Sequence, residues 1–381
     1  MNWRKLEELR ASDGDKKFGA TLINMIYEGK LPIGEFSLKG LWEACGRPRL
    51  SAEREVFSGK VTEEDIEIKE QLDSSLFPKI TGALINKVVQ DAYNLEYGVG
   101  DNLVTVLPSA LREETIVGFT EDIQLKEVGE GMDYEEGAIG EKYHKIKNRK
   151  FGRLISLTEE MVKFDQTNQM LMRAQRIGEA ARYKHEEIVM NAVLGLVNSG
   201  DYAAWRPAGT ATTLYSDTST DPYSSATLDN NITDALTDET DLDAALAKFA
   251  SYVDEKGLYI HVEPKTLLHA TALTGKATKI LASGQSVVLT APASTANYWS
   301  GKLTPLGTSW VDNKKGATYW YIGDFKKQFV LTQVFPLQVF QARAGNEKEF
   351  EADVVYRWKA RLMEGCGAVS NRFVIQSTGA S

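Results

Sequence analysis

The sequence predicts an α+β protein of two or three domains, and three stretches carry that expectation. They are a long helix at mid-chain, a long hairpin before it with charge sorted onto its two arms, and a helix–strand–helix section after it. Residues 165–198 hold the helix. Met170, Ala174, Ile177, Ala181, Ile188, Ala192 and Leu196 recur at intervals of three, four or seven and lay one apolar stripe along one face. No proline interrupts them, and at 1.5 Å per residue the segment would run roughly 45–50 Å, so it needs a surface to lie on, apolar side down. Arg173, Arg176, Glu179, Arg182, Lys184, Glu186 and Glu187 take the other faces.

Composition bounds what surrounds that helix. With 381 residues, 43% of them hydrophobic and 25% charged, the chain can bury real cores and is not disordered as a whole. No run approaches about 18 consecutive apolar residues, and Met1–Leu6 leads into charge, so neither a membrane span nor a secretory signal is expected. Cys45 and Cys366 lie far apart with no Cys or His at ligand spacing, which predicts reduced thiols rather than a disulfide. A formal net charge of -9 argues against a protein whose main task is to grip nucleic acid, because that task needs a basic face against phosphates.

Taken in order, residues 1–70 form short amphipathic pieces at Trp3–Leu9, Phe18–Tyr27 and Phe36–Cys45, punctuated by Gly14, Gly29, Pro32, Gly34, Gly46 and Pro48. None is long enough to fold alone, so this arm needs neighbours. Thr62–Lys69 reads as a linker or exposed helix start. Pro78–Tyr97 is a second helix with Ile80, Leu84, Ile85, Val88, Val89 and Ala92 on one face, and Leu103–Leu107 a short strand closed by Pro108. The hairpin follows: strand segments Thr115–Thr120 and Ile123–Val128, a glycine-broken tip at Gly129–Gly140, and a returning strand Glu141–Ile155. Glu121–Glu141 contains eight acidic residues against Lys126 alone, whereas Lys142–Arg153 contains six basic residues and no acidic one. Two readings are compatible: arms that neutralise each other across the pair, and an arm laid over an adjacent subunit and matched to it by charge.

Arg153–Thr158 then reads as a strand, with Thr158 as N-cap of a short helix to Phe164. After the long helix, Asp201–Asp238 is loop by composition, with Tyr202, Trp205, Tyr215 and Tyr223 as isolated anchors. Asp241–Lys256 is a helix stopped by Gly257, Leu258–Val262 a buried strand, and Pro264 opens a helix over Lys265–Leu273 that continues as Lys276–Ala282. Strands Ala317–Ile322 and Gln328–Gln333 complete an α/β domain around a mixed sheet. Leu337–Gln341, Phe350–Leu362 and Phe373–Gln376 are strands.

Strand, short amphipathic turn, then a long helix carrying Ile177-Gly178-Glu179-Ala180-Ala181 and ending Ala192-Val193-Leu194-Gly195: this order resembles the core of tailed-bacteriophage major capsid proteins, a fold shared with encapsulins. The resemblance covers about residues 70–378. It implies an N-terminal arm (1–72), the first part of a peripheral domain (73–113), an extended hairpin loop (114–153), the spine helix (154–200), an axial domain (201–340) and peripheral C-terminal strands (341–381). It also implies a function: a head shell subunit that assembles with itself into hexamers and pentamers of an icosahedral shell, enclosing double-stranded DNA without reading its sequence. The implied partners are copies of itself, a portal, a scaffolding protein and a decoration protein. Assembly would take place in the host cytoplasm and the product would be the virion. Because the chain keeps Met1, the scaffold is expected to be a separate protein. The rivals are an encapsulin-like compartment and, from another class, a cytosolic α/β enzyme with an unfamiliar site. Particle size separates them.

No catalytic, cofactor-binding or metal-ligating residue is expected. His185-Glu186-Glu187-Ile188-Val189 is half of a zincin helix whose second histidine position is Val189, and it reads as an exposed helical face. His261-Val262-Glu263-Pro264 begins a zinc deaminase signature without the Pro-Cys-x-x-Cys that completes it, and His269 reads as a packed helical histidine. Gly129-Glu130-Gly131 puts acids where an anion would sit. Asp238, Asp241 and Asp243 read as N-cap and first-turn acids, not a calcium loop. Some members of the resembled family crosslink a loop lysine to an asparagine. Lys142, Lys145, Lys147, Lys150 and Asn371 lie in the corresponding regions, and no motif selects among them.

Overall fold

The computed structural model describes residues 20–28, 79–94, 98–121, 139–158, 169–218, 223, 228–255, 257–288, 296–342 and 354–380. The expected pieces Trp3–Leu9, Phe36–Cys45 and Thr62–Lys69, the hairpin tip, and the short helix ending at Phe164 lie outside the described residues. In chain order the helices are α1 (20–27), α2 (79–93), α3 (Gly100–Leu103), α4 (Gln169–Val193), α5 (Glu239–Ala250), α6 (Thr274–Ala282), α7 (Ser309–Lys314) and α8 (Phe325–Gln328). The strands are β1 (Thr105–Pro108), β2 (Glu113–Glu121), β3 (Ile139–Lys147), β4 (Arg149–Thr158), β5 (Asn231–Ile232), β6 (Thr266–Ala270), β7 (Thr304–Thr308), β8 (Trp320–Gly323), β9 (Phe329–Gln341), β10 (Val354–Ala368) and β11 (Val374–Ser377). The chain forms two compact units. One takes Met1–Tyr97, Lys150–Tyr183 and Pro336–Leu362, and the other takes Gly98–Arg149, Lys184–Phe335 and Met363–Ser381.

In the first unit, α2 buries Ile80, Leu84, Ile85, Val88, Val89 and Ala92, the face its spacing predicts. The first half of α4 crosses it at Gly178. A Cβ there would stand 2.7 Å from Ala92 Cβ and closer still to the Val89 carbonyl oxygen, so the two backbones meet where a side chain would be. Alanine at this position would gain about 1 kcal/mol of helix propensity. It would also drive a methyl group into the backbone of a packed helix, an overpacking cost of about 1–3 kcal/mol. Gly178→Ala is therefore expected to lower the guanidinium midpoint, and an unchanged or raised midpoint would show that the crossing is looser. Beside these helices, the Ala342 N–H donates to the Arg357 carbonyl at 2.7 Å, and Gly152 lies where a Cβ would come within 2.9 Å of the Ala360 carbonyl oxygen. The ends of β9, β10 and β4 are thus neighbours, with Trp358 buried among them.

The second unit holds a five-stranded mixed sheet in the order β5-β11-β8-β6-β7. The middle strand β8 is antiparallel to both neighbours, with Gly323 opposite Val374 on β11 and Thr266 on β6, while β5 and β7 pair in parallel at the edges. All four residues of β8 are buried, as expected for a strand covered on both faces. Leu242, Ala245 and Phe249 of α5, Ala277, Ile280 and Leu281 of α6, and Val189, Met190, Val193 and Leu194 of α4 supply one continuous core with it. In the same unit β1 pairs in parallel with the start of β9, Thr105 opposite Val330 through Pro108 opposite Gln333.

Several local expectations are corrected. The long helix ends at Val193, not Asn198, because Gly195 turns left-handed (φ 62°). Leu196 N–H then reaches back to the Asn191 carbonyl and Gly195 N–H to that of Ala192, the paired bonds of a Schellman stop. Leu103 ends helix α3, so the strand after it starts at Thr105. The returning arm is two strands broken at Asn148, whose side chain donates to Ser109 Oγ and the Leu111 carbonyl and accepts from Thr332 Oγ1. Helix α5 ends at Ala250 rather than Lys256; Gly257 (φ 86°) instead closes a turn in which Gly257 N–H bonds the Asp254 carbonyl. Leu258–Val262 is not a buried strand, since Tyr259 is exposed. The helix expected over Lys265–Leu273 is, from Thr266 to Ala270, the interior strand β6. Leu267, Leu268, His269 and Ala270 are buried in succession, and a short continuous apolar run fits a doubly covered strand as well as a helix. His269 is accordingly a strand residue. Phe373–Gln376, expected among peripheral strands, supplies β11 at the heart of the five-stranded sheet.

Candidate functional site

The most unusual chemistry lies under the second half of α4, where the sequence predicts an exposed face and the structure buries charge. The buried line runs Leu171, Ala174, Gly178, Arg182, His185, Val189 and Ala192, rotated from the expected stripe so that charged side chains occupy its middle. His185 is 3% exposed. Its Nδ1 lies 2.9 Å from a Glu364 oxygen on β10, and its Nε2 lies 2.9 Å from Asp101 in the first turn of α3. Burial alone would favour the neutral ring, but the hydrogen bonds and charges of Asp101 and Glu364 outweigh it and raise the pKa to about 9. The ring is therefore an imidazolium at neutral pH, donating from both nitrogens.

The next residue performs a second fastening. Glu186, also 3% exposed, accepts from Val99 N–H at 2.9 Å and from Gly100 N–H at 3.0 Å. Val99 has no capping side chain of its own, so a carboxylate from α4 caps α3 and meets the positive end of its dipole. Gly98 and Gly100 make this possible, since a Cβ on either would collide with the Glu186 carboxylate. The node has no nucleophile, and both nitrogens of its histidine are engaged, so it clamps rather than catalyses.

The second cluster is the foot of the hairpin. Strands β2 and β3 pair antiparallel from Glu113 opposite Lys147 to Glu121 opposite Ile139 and form a two-stranded sheet of their own. Lys145 bridges Glu113 at 3.0 Å across the two strands, while most of the acidic stretch expected to face the basic arm lies outside the described residues. Two other lysines turn elsewhere. Lys142 pairs with Glu255 at 2.9 Å and Lys147 with Asp201, so part of the basic arm is tied to the body of its own unit. Glu255 also receives Arg372 at 2.6 Å; burial would raise its pKa, but the two cations pull it down to about 2. Between these ties sits His144, 5% exposed and stacked on Trp205 with ring centroids 4.6 Å apart. The Tyr143 N–H donates to the Tyr223 hydroxyl, and the Tyr143 hydroxyl donates to the Ala208 carbonyl. All four loop anchors expected between Asp201 and Asp238 thus have partners: Trp205 and Tyr223 hold the hairpin, Arg149 and Lys147 lie over the Tyr202 ring, and the Tyr215 hydroxyl donates to the Val193 carbonyl at the end of α4.

The remaining motif residues are dispersed. His261 is exposed, and His269 is buried with its Nδ1 against the Ala270 carbonyl. Asp238 caps α5 with Asp241 returning the bond, and Asp243 accepts from the Trp299 indole N–H. Asn371 is 2% exposed, which withholds its side chain from a lysine of another copy. Cys366 is a free thiol whose pKa burial pushes up, while Gly129-Glu130-Gly131 and Cys45 lie outside the described residues. Among the described residues no three metal-ligating side chains are grouped to hold an ion, and no helix is long and apolar enough to cross a membrane.

The comparisons with known proteins give the family. Residues 143–376, from the foot of the hairpin through β11, match the model of the phage capsid protein family. The chain belongs to that family and is a phage shell protein, a component of the virion. No curated protein sequence matches it. Among solved structures it is similar to the capsid of a native GTA particle (12% identity, 72% of this chain and 87% of that one, TM-score 0.46). It is also similar to the capsid of cyanophage P-SCSP1u (12%, 72% and 86%, 0.47) and to a chain of Mycobacterium phage Ogopogo (14%, 73% and 90%, 0.40).

Proposed function

We propose that this shell protein tiles with copies of itself into hexamers and pentamers around packaged double-stranded DNA, with a portal, a separate scaffolding protein and a decoration protein as its further partners. Assembly takes place in the host cytoplasm, and the DNA is enclosed without being read. On this reading residues 114–153 are the extended loop offered to a neighbour, 154–200 carry the spine, and 201–340 form the axial domain together with β11 (Val374–Ser377), with 1–72 as an arm and 73–113 and the rest of 341–381 as peripheral pieces.

One observation carries the reading. Among the described residues the hairpin β2/β3 forms a two-stranded sheet of its own, joined to Pro207 by a bridge at His144, and leaves Val117 56% exposed; a two-stranded ribbon is marginal in water. A limb of this kind gains stability when another molecule covers it, and contacts repeated between copies by rotation build closed assemblies. Electron microscopy and size-exclusion chromatography of the full chain, expressed alone and with a candidate scaffold, test this. Megadalton shells are expected; a chain that stays monomeric or dimeric under both conditions refutes the shell.

A further inference from the structure

His144 is a base whose charged form would carry a proton on a buried ring nitrogen that has no acceptor among the described residues. Its ring is stacked on Trp205 at an interplanar angle of 25° and met edge-on by Tyr223 at 6.3 Å, and its Nδ1 has no hydrogen-bond partner among the described residues. It stands on β3, the strand by which the hairpin is attached, between Lys142 and Lys145. We propose that His144 is a proton-operated latch: as a neutral ring it seats the hairpin foot on the second unit, and on taking a proton it releases that foot. The proposal rests on the shell reading only for its purpose, since the hairpin is the limb offered to a neighbour.

The groups around the ring set its behaviour. From its own strand comes Lys142, and Lys145 beyond it is spent on Glu113; from the turn after α5 comes Glu255, from the segment between β10 and β11 comes Arg372, and from the loop comes the Tyr223 hydroxyl. Glu255 is the one carboxylate among these that could welcome a charged imidazole, and it already holds both Lys142 and Arg372. Protonation would therefore place a third cation beside a carboxylate that already pairs with two, in a stack where the ring is 5% exposed. Attraction of the cation to the Trp205 face offsets part of that cost, but the indole offers no acceptor for the proton on Nδ1. Burial first, and Lys142 second, lower the ring's pKa from 6.5 to about 4. The sign follows. For a base whose folded pKa is depressed, the stabilisation is complete above the unfolded value and is lost as pH falls from about 6.5 to about 4. The Glu255 ties do not yield first, because that carboxylate titrates near 2.

Hydrogen exchange of the unassembled full chain, corrected for intrinsic rates, tests the latch. Between about pH 7 and about pH 4.5, protection of the amides of 139–147 should fall roughly tenfold or more while that of 266–270 holds. His144→Phe keeps a stacking ring but cannot take a proton, so it should remove this acid step. An acid step of the same size in His144→Phe, or none in the wild type, overturns the proposal. Should His144→Phe not fold, exchange at the ring carbon of the wild-type histidine decides: a midpoint below about 5 supports the latch, and one near 6.5 refutes it. Shell assembly at neutral pH is read separately. Its failure would sink the shell reading and leave the latch standing.

Discussion

Replacing His185 with alanine should cost about 3–5 kcal/mol, because it strands Glu364, 1% exposed, as a buried carboxylate without its cation. The second unit should melt first, and its guanidinium midpoint should fall accordingly. The penalty belongs to the orphaned charge rather than to the loss of an attraction. Replacing both partners with apolar residues, His185→Leu with Glu364→Leu, should therefore recover most of the loss, since a buried ion pair and a packed apolar pair of similar volume are often close in stability. Equal losses in the single and double variants would show that shape, not charge, governs the node. The pH dependence supplies an independent reading. The His185 pKa is raised from 6.5 to about 9, so its contribution is complete below about pH 6.5 and disappears as pH rises through about 9. Wild-type stability should decline across that window, and His185→Ala should show less of the decline. A flat wild-type profile would mean that the ring is not held as a cation.

Trp205→Ala is the second large effect. Trp205 is 1% exposed and its ring stacks on His144, while its backbone pairs with Thr212 and Ala368, so the residue ties the hairpin foot to the long loop and β10 within its unit and the ring carries the hairpin's share. Truncating a buried tryptophan costs about 3–5 kcal/mol. The loss should appear first as faster amide exchange over 139–147 and 203–212, with β6 and β8 less affected. A uniform loss across the five-stranded sheet would place Trp205 in the global core instead of at the hairpin foot. The two variants probe separate fastenings in one unit, the node through buried charge and the foot through aromatic contact, and their effects should add if the sites are uncoupled.

Much of this fold was legible in the residues. Apolar spacing marked helices over 78–97 and 165–198, strand segments on either side of a glycine-broken tip marked a hairpin over 114–153, and the mixed sheet followed from helices alternating with short apolar runs. Where the reading failed, two physical states shared one pattern. Thr266–Ala270 is apolar without period, which suits a strand covered on both faces as well as a buried helix. His185 and Glu186 looked exposed because charged residues on a helix nearly always are. Their partners, Asp101 and Glu364, lie 84 and 179 residues away in sequence, so no local window contains the bonds that make burial tolerable. A periodicity that places His185 and Glu186 in line with Val189 and Ala192 was the available signal, but an apolar stripe through Ile177 and Ala181 competed with it.

The long helix and the shortage of apolar side chains in the hairpin were settled by the order of residues alone, because propensity, spacing and composition act over a few turns of chain. Which charges are buried, which lysines turn to the body instead of the opposite arm, and why His144 must stay neutral were decided only on folding. Each depends on a carboxylate or a ring that the chain delivers from far away, and the cost of a buried charge is set by the partner that arrives, not by the residue that carries it.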